Sequence, residues 1–215
     1  TPSKATQNDV SHFFSISPEK ITPLYSGVEI EKPTKEIISK VVSKYNLSKP
    51  FILSVGKIEP RKNISRLIDA FIKLDNNNWD LVIVGPEGWD DKSNQKKHES
   101  IKFTGYVSEI ELHALYELSQ FFVYPSLWEG FGYPVIEAMM HERAVAVSNN
   151  SSLAELVENN GLLFNPLSIE EMSSALAKLI SDEGLRSQFA HKGFEYSQQF
   201  TWKRYYDGLM KVLHS

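Results

Sequence analysis

The hydrophobic pattern changes character twice along the chain. Over residues 1–35 the apolar positions come as short pieces broken by Ser, Pro and Gly, and no period lasts long enough for an independent core. This stretch reads as a linker or the tail of another unit. From about residue 45, short apolar runs alternate with helical periods: "FILSVG" (51–56) ends in glycine and is followed by Ile64, Leu67, Ile68, Phe71 and Ile72 at helical spacing. "DLVIVG" (80–85), "IKFTG" (101–105), "QFFVYPS" (120–126), "AVAVS" (144–148) and "GLLFNP" (161–166) repeat the strand signature. Helices are expected from three Ser-x-x-Glu boxes, Ser108 with Glu111, Ser152 with Glu155 and Ser168 with Glu171, and over about 134–141. "DNNNWD" (75–80) and "SNQKKHES" (93–100) read as solvated turns.

Near-continuous apolar strands between amphipathic helices predict a parallel sheet covered on both faces, a doubly wound, Rossmann-like α/β domain over 36–192. Site residues are then expected in the loops at the strand C-termini. Residues 193–215 are aromatic-rich and helical, with Phe200, Trp202, Tyr205, Tyr206 and Leu209 expected to pack against something outside the α/β unit.

Two of those loops carry candidate chemistry. In "GKIEPRKNISRL" (56–67), Asn63 is a suitable N-cap, which places Lys57, Arg61 and Lys62 just outside the positive end of a helix, where a cation costs about 0.3–1 kcal/mol. An anion there would relieve the cost, and a phosphate would be held by charge and by free N–H groups together. In "PSLWEGFGYPVIEAM" (125–139), Gly130 and Gly132 permit close backbone approach and positive φ, Pro134 suits the start of a helix, and Glu129 and Glu137 stand eight positions apart. The two carboxylates flank a ligand lengthwise rather than pairing, and a carboxylate accepting from vicinal hydroxyls suits a ribose or hexose.

Composition narrows the field. With 215 residues, 41% hydrophobic and a formal net charge of −4, the chain has a substantial core and no basic field for nucleic acid. It contains no cysteine, so thiolate metal sites and disulfides are excluded, and a cytoplasmic location is the default expectation. No apolar run approaches bilayer length, which leaves peripheral contact with the cytoplasmic face of a membrane open. The six histidines (12, 98, 113, 141, 191 and 214) show no ligand spacing and are expected on the surface or in packing. The first loop lacks G-x-G-x-x-G, which argues against a dinucleotide oxidoreductase.

Four segments in order, "ITPLYSGVE" (21–29), "SVGKIEPRKN" (54–63), "IKFTGYVSEIEL" (101–112) and "EGFGYPVIEAM" (129–139), resemble the retaining glycosyltransferases of the large family 4 class, whose GT-B architecture joins two Rossmann-like halves. The match is to the C-terminal, nucleotide-sugar-binding half and covers about residues 21–210. The resemblance implies that Lys57, Arg61 and Lys62 grip a diphosphate, beside Gly56 and Gly85 at the strand ends; Lys57 stands where many members have Arg. It implies that Glu137 binds ribose hydroxyls, that Glu129 contacts the donor sugar, that the backbone of Gly130, Phe131, Gly132 and Tyr133 meets sugar and β-phosphate, and that Tyr106 and Val107 border the base. Glu129, Lys62 and Arg61 would carry the catalytic roles, Lys62 and the helix dipole stabilising the departing diphosphate.

The implied reaction is transfer of a hexose, with mannose the expected sugar, from a GDP- or UDP-linked donor to the hydroxyl of a saccharide or lipid-linked acceptor. Configuration is retained, and surface polysaccharide synthesis is the expected setting. No cofactor and no metal is expected; Asp-x-Asp is absent. An N-terminal acceptor domain is expected outside residues 1–215, with 1–35 its linker-like remnant and 193–215 a helical segment crossing back toward it. A GT-B epimerase and a non-catalytic nucleotide-sugar-binding module are the alternatives.

Overall fold

A computed structural model describes residues 1–88 and 98–214. Much of the turn expected at 93–100 lies outside the described residues. Six strands, β1 (Phe51–Val55), β2 (Asp80–Val84), β3 (Ile101–Gly105), β4 (Phe121–Tyr124), β5 (Ala144–Ser148) and β6 (Leu162–Phe164), pair in parallel in the order β3-β2-β1-β4-β5-β6. The doubly wound α/β fold expected from the apolar runs is the one observed. Strand order reverses between β1 and β4, which are neighbours in register Ile52 to Phe121 and Leu53 to Phe122. The chain leaves that pair in opposite directions, so the loops after β1 and β4 open a crevice at the C-terminal edge.

Period-two alternation divides the strand side chains between two cores. Phe51, Leu53, Val82, Val84, Phe122, Tyr124, Val145 and Val147 point to the first, where they meet helices α2 (Lys35–Lys44), α4 (Glu109–Leu118), α5 (Tyr133–Met140) and α6 (Ser151–Val157). Ile52, Leu81, Ile83, Phe121, Val123, Ala144 and Ala146 point to the second, under α3 (Ile64–Ile72) and α7 (Ile169–Ser181). Both faces are dry because each is roofed by a helix stripe.

Several local expectations are corrected. Residues 1–35 are not irregular throughout: α1 (Lys4–Phe14) forms there, because the Ser3 hydroxyl accepts from the Thr6 N–H (3.1 Å) and the Glu155 carboxylate accepts from Lys4 and Ala5 N–H (3.0 Å each). The Ser152 and Glu155 box therefore does not exist: α6 starts at Ser151, Ser152 lies inside it, and Glu155 caps a helix distant in sequence. Of the other two boxes, that of Ser108 and Glu111 forms, with Glu111 accepting from the Ser108 N–H (3.1 Å), whereas Ser168 caps α7 by accepting from the Glu171 N–H (3.1 Å) but the Glu171 carboxylate turns to the Asn165 N–H (2.9 Å).

The division expected at residue 193 falls inside α8 (Glu183–Ser197), where Gly193 lets the helix pass close to Met139. The chain breaks at 198–201 instead, before α9 (Trp202–Leu213). Phe200 is buried against Tyr25, Phe131 and Tyr196, whereas Trp202 and Tyr206 are about half exposed. Among the described residues no helix is long and apolar enough to cross a membrane.

Two histidines are packing residues, and they meet. His113 Nδ1 lies 2.9 Å from His141 Nε2 in the first core, so one neutral ring must donate and the other accept. Burial, with the His113 ring, Arg143 and Lys32 nearby, holds His141 down to about 4, and burial lowers His113 against the pull of Glu109 and Glu31. The unfolded chain takes up these protons below about pH 6.5, whereas in the folded chain His141 resists until about pH 4 and burial also delays His113. Stability should accordingly be full above that upper limit and fall by about 2–3 kcal/mol on acidification toward pH 4. Urea unfolding across this range, repeated with His141→Gln, tests it: the variant should lose most of the slope, and an unchanged slope would assign it to other groups.

Candidate functional site

The loop after β1 runs from Gly56 through a short 3-10 turn, Pro60–Lys62, into α3. Gly56 takes φ +155, and a Cβ there would press on the Lys62 stem at 3.2 Å; the lysine is laid across the glycine. Gly85, at the end of β2, is required for the same reason of proximity, since a Cβ would sit 2.1 Å from the Gly56 carbonyl oxygen. Asn63 does not cap α3 with its side chain. It sits in the left-handed region (φ 59°) and its buried Nδ2 donates to the carbonyls of Pro125 (3.0 Å) and Pro166 (2.8 Å), while Oδ1 accepts from Arg66 (2.8 Å). Its short polar side chain therefore bolts the first loop to the loops after β4 and β6.

The loop after β4 meets it through charge. Glu129 Oε1 accepts from Lys62 Nζ (2.6 Å), Arg61 (2.9 Å) and the Ser126 hydroxyl (2.7 Å), and Lys62 also reaches the Tyr124 hydroxyl. Arg61 bonds Glu59 (2.9 Å) and the Trp128 carbonyl (2.9 Å) as well. Burial alone would raise the Glu129 carboxyl, but the Lys62 ammonium, Ser126 and Arg61 outweigh it and hold Glu129 below the usual carboxylate range. Glu129 thus lies on the cations, a contact that the spacing of the two carboxylates did not reveal. Lys57 is exposed at the mouth of the same loop.

Of the two glycines that follow, only Gly132 is at positive φ (+121), where it precedes α5; a Cβ would press on Leu153 at 3.0 Å. Gly130 needs no such backbone. Phe131 turns its ring into the core against Tyr25 and Phe200, so the loop is anchored from beneath. Among the described residues, no acceptor takes the N–H groups of Gly130, Phe131, Gly132 or Tyr133. These four donors lie at the start of an eight-residue helix, whose positive end is where an anion is stabilised.

Glu137, one turn into α5, is half-buried and accepts from the Tyr116 hydroxyl at 2.9 Å; burial raises its carboxyl despite that bond. Tyr106, 81% exposed, and Val107, buried, follow β3 on the same edge. All thirteen residues singled out in the sequence therefore lie at or just beyond strand C-termini, or in the first turns of α5. Among the described residues, no group of three His, Asp or Glu side chains is placed to hold a metal ion.

Sequence reasoning missed the supports. Asn150 Nδ2 donates to the Leu127 carbonyl (2.8 Å), the Ser151 hydroxyl accepts from the Glu129 N–H (3.1 Å), and the Ser152 hydroxyl donates toward the Glu129 and Phe131 carbonyls. From α1, Thr6 Oγ1 donates to the Gly130 carbonyl (3.1 Å) and Asp9 accepts from Trp128 Nε1 (3.0 Å). Tyr124 was the one support with a signal in the sequence, a hydroxyl closing an otherwise apolar strand.

Comparison with known proteins follows the geometry. The sequence profile described as "Glycosyl transferases group 1" matches residues 35–196. The chain is similar to the O-antigen chain mannosyltransferase B of Escherichia coli, with 33% identity over 173 residues that cover 76% of this chain and 45% of that protein. It is also similar to the serotype-specific mannosyltransferase WbdA of Escherichia coli, 31% identical over 215 residues, 93% of this chain and 26% of that one. The chain thus spans less than half the length of these relatives. Among solved structures, a glycosyltransferase from Rickettsia africae superposes with TM-score 0.88 at 20% identity, over 98% of this chain and 61% of the other. HepE from Anabaena, determined in complex with UDP and glucose, superposes with TM-score 0.87 at 22% identity over 100% and 62%.

The Asn63 bolt is open to test. Asn63→Ala strands two carbonyls and forces a Cβ residue into the left-handed region, and should cost about 2–4 kcal/mol of unfolding free energy; Asn63→Gly, which accepts that backbone freely, should still cost about 1–3 kcal/mol. Denaturant unfolding separates the contributions. A glycine variant as stable as the native chain would show that the side-chain bonds do not hold the loops together.

Proposed function

The chain belongs to the group 1 glycosyl transferases, as the C-terminal domain of their two-domain GT-B architecture, and from this premise we propose that its cleft binds a nucleoside-diphosphate sugar for retaining transfer of a hexose. The observation that carries the reading is the convergence, at the switch point between β1 and β4, of two cations with four unbonded backbone N–H groups and a half-buried carboxylate one helical turn further on. A diphosphate fits the first two and a ribose diol the third. Lys62, Arg61 and the start of α5 then stabilise the charge that grows on the leaving diphosphate, which is electrostatic catalysis by groups already in place. Lys57 and Gly56 would flank the same diphosphate, with Gly85 behind them, and Tyr106 and Val107 the base.

Glu129 acts on the sugar side of that cradle. In the unliganded chain it neutralises the two cations, and a bound diphosphate would share them with it. Mannose is the sugar favoured, since relatives at 31–33% identity are named as mannosyltransferases of the O-antigen and of a serotype. The acceptor, a saccharide or lipid-linked saccharide in surface polysaccharide synthesis, would be held by an N-terminal domain outside these residues. Helix α9, after the break at 198–201, would cross back toward that domain.

Calorimetry with inorganic pyrophosphate, UDP and GDP tests the cradle. Lys62→Ala should weaken all that bind by about 10-fold or more, whereas Glu129→Gln, which frees the cations from their internal anion, should tighten them by about 3- to 10-fold. Indifference of pyrophosphate affinity to both changes would sink the diphosphate assignment. Because the cradle comes from one α/β unit, the 215 residues should bind the nucleotide with Kd on the order of 10 μM to 1 mM yet transfer no sugar, since transfer needs both substrates held in one cleft. Product analysis with GDP-mannose and a candidate acceptor settles that half; transfer by this chain alone would place the acceptor site within it.

A further inference from the structure

Glu137 does not stand alone in the wall of the cleft. Its Oε2 accepts from the hydroxyl of Tyr116, which comes from the last turns of α4 and is wholly buried. Among the described residues no other hydrogen bond reaches the Glu137 carboxylate. The tyrosine ring is clamped: Phe122 of β4 lies 5.6 Å away and tilted, and His141, at the C-terminal cap of α5, is stacked on it at 5.6 Å with an interplanar angle of 12°. His141 is itself fixed by its bond to His113 of α4. A ring gripped on both sides cannot swing its hydroxyl away, so the bond has a defined direction that a surface donor would lack.

We propose that Tyr116 is a positioning residue for Glu137: its hydroxyl fixes one carboxylate oxygen from beneath, so that the other is presented to the ribose hydroxyls of a bound nucleoside diphosphate. This rests on the reading of Glu137 as the ribose acceptor. Two physical consequences follow from a single bond. It holds the carboxylate rotamer, and it is the one nearby donor favouring the ionised form, which burial disfavours. A ribose diol offers two donors, so the ionised, oriented carboxylate is the better partner.

The groups facing Glu137 define a window in which its own titration can be read. Tyr116 of α4 and Tyr124 of β4 are pushed well above the ordinary phenol range by burial, His141 protonates only at about 4, and Glu109 of α4 adds negative charge in native and variant alike. Above the pH at which His141 protonates, the remaining common contribution is ionisation of the ligand's phosphates, which cancels between proteins.

The test is calorimetric titration of the 215-residue chain and its Tyr116→Phe and Glu137→Gln variants with UDP, GDP and inorganic pyrophosphate over that window. Tyr116→Phe should weaken the nucleotide by about 3- to 10-fold and leave pyrophosphate unchanged. It should also move the acid limb of nucleotide binding to higher pH, because a carboxylate without its donor protonates sooner. Fluorotyrosine at position 116, which keeps the shape and donates more strongly, should move the limb the other way and serves if the Phe variant folds poorly. A Tyr116→Phe protein with lowered melting temperature but native nucleotide affinity and native pH dependence would overturn the inference and leave Tyr116 a packing residue. Nucleotide affinity indifferent to Glu137→Gln would instead sink the ribose assignment on which it stands.

Discussion

The contact of Glu129 with Lys62, Arg61 and Ser126 ties the loop after β1 to the loop after β4 across the point where strand order reverses. Without that tie, two cations and the positive end of α5 would face one another across a crevice with nothing between them. The carboxylate resolves the conflict internally and fixes the separation of the two loops, while the Asn63 side chain does the same with neutral groups deeper down. An ion pair at this depth contributes little net stability, since desolvation offsets most of the attraction. What it supplies is geometry: Lys62 and Arg61 are held in fixed places between the two loops.

The two cores divide the labour. The core beneath α3 and α7 is assembled from aliphatic and phenyl side chains, whereas the one beneath α4 and α5 admits Tyr116, Tyr124, His113 and His141. The difference follows from what each face supports. Tyr124 closes β4 directly under Lys62, and Tyr116 reaches Glu137, so these two hydroxyls enter the first core where they can reach a charged group at the edge. The histidine pair continues the row and satisfies itself with a single shared proton. Buried polar groups without partners would cost more than they gain.

The strands and the site loops were legible because the information is local. Each strand is a short apolar run closed by glycine or a turn, and a parallel sheet sends all six C-terminal ends to one edge, so naming the loops was enough to collect the residues. The misreadings share a cause. Ser152 and Glu155 have the spacing of a cap but are used elsewhere, Ser152 on the glycine loop and Glu155 on α1, through contacts spanning 21 to 151 residues. Asn63 has the composition of a cap, but its left-handed backbone turns the side chain away from α3 toward two proline carbonyls. Helix α1 escaped because its period is short and its cap is shared with a distant carboxylate. Spacing identifies what a side chain is able to do; only the tertiary arrangement selects which of its possible partners is nearest.

That last case ties the beginning of the chain to the site. Glu155 secures the first turn of α1, and from the same helix Thr6 and Asp9 reach Gly130 and Trp128, on either side of Glu129. The glycine loop is thus held from three directions: by Arg61 and Lys62 from β1, by Asn150, Ser151 and Ser152 from β5, and by α1 from residues far upstream. A loop carrying four unbonded N–H groups has little regular structure to stabilise it, and its conformation must be imposed by neighbours. Because the third support comes from α1, displacement of that helix would alter the backbone at Gly130 without touching either glutamate. Helix α1 is consequently part of the wall of the candidate site, whose shape depends on it as directly as on the basic loop.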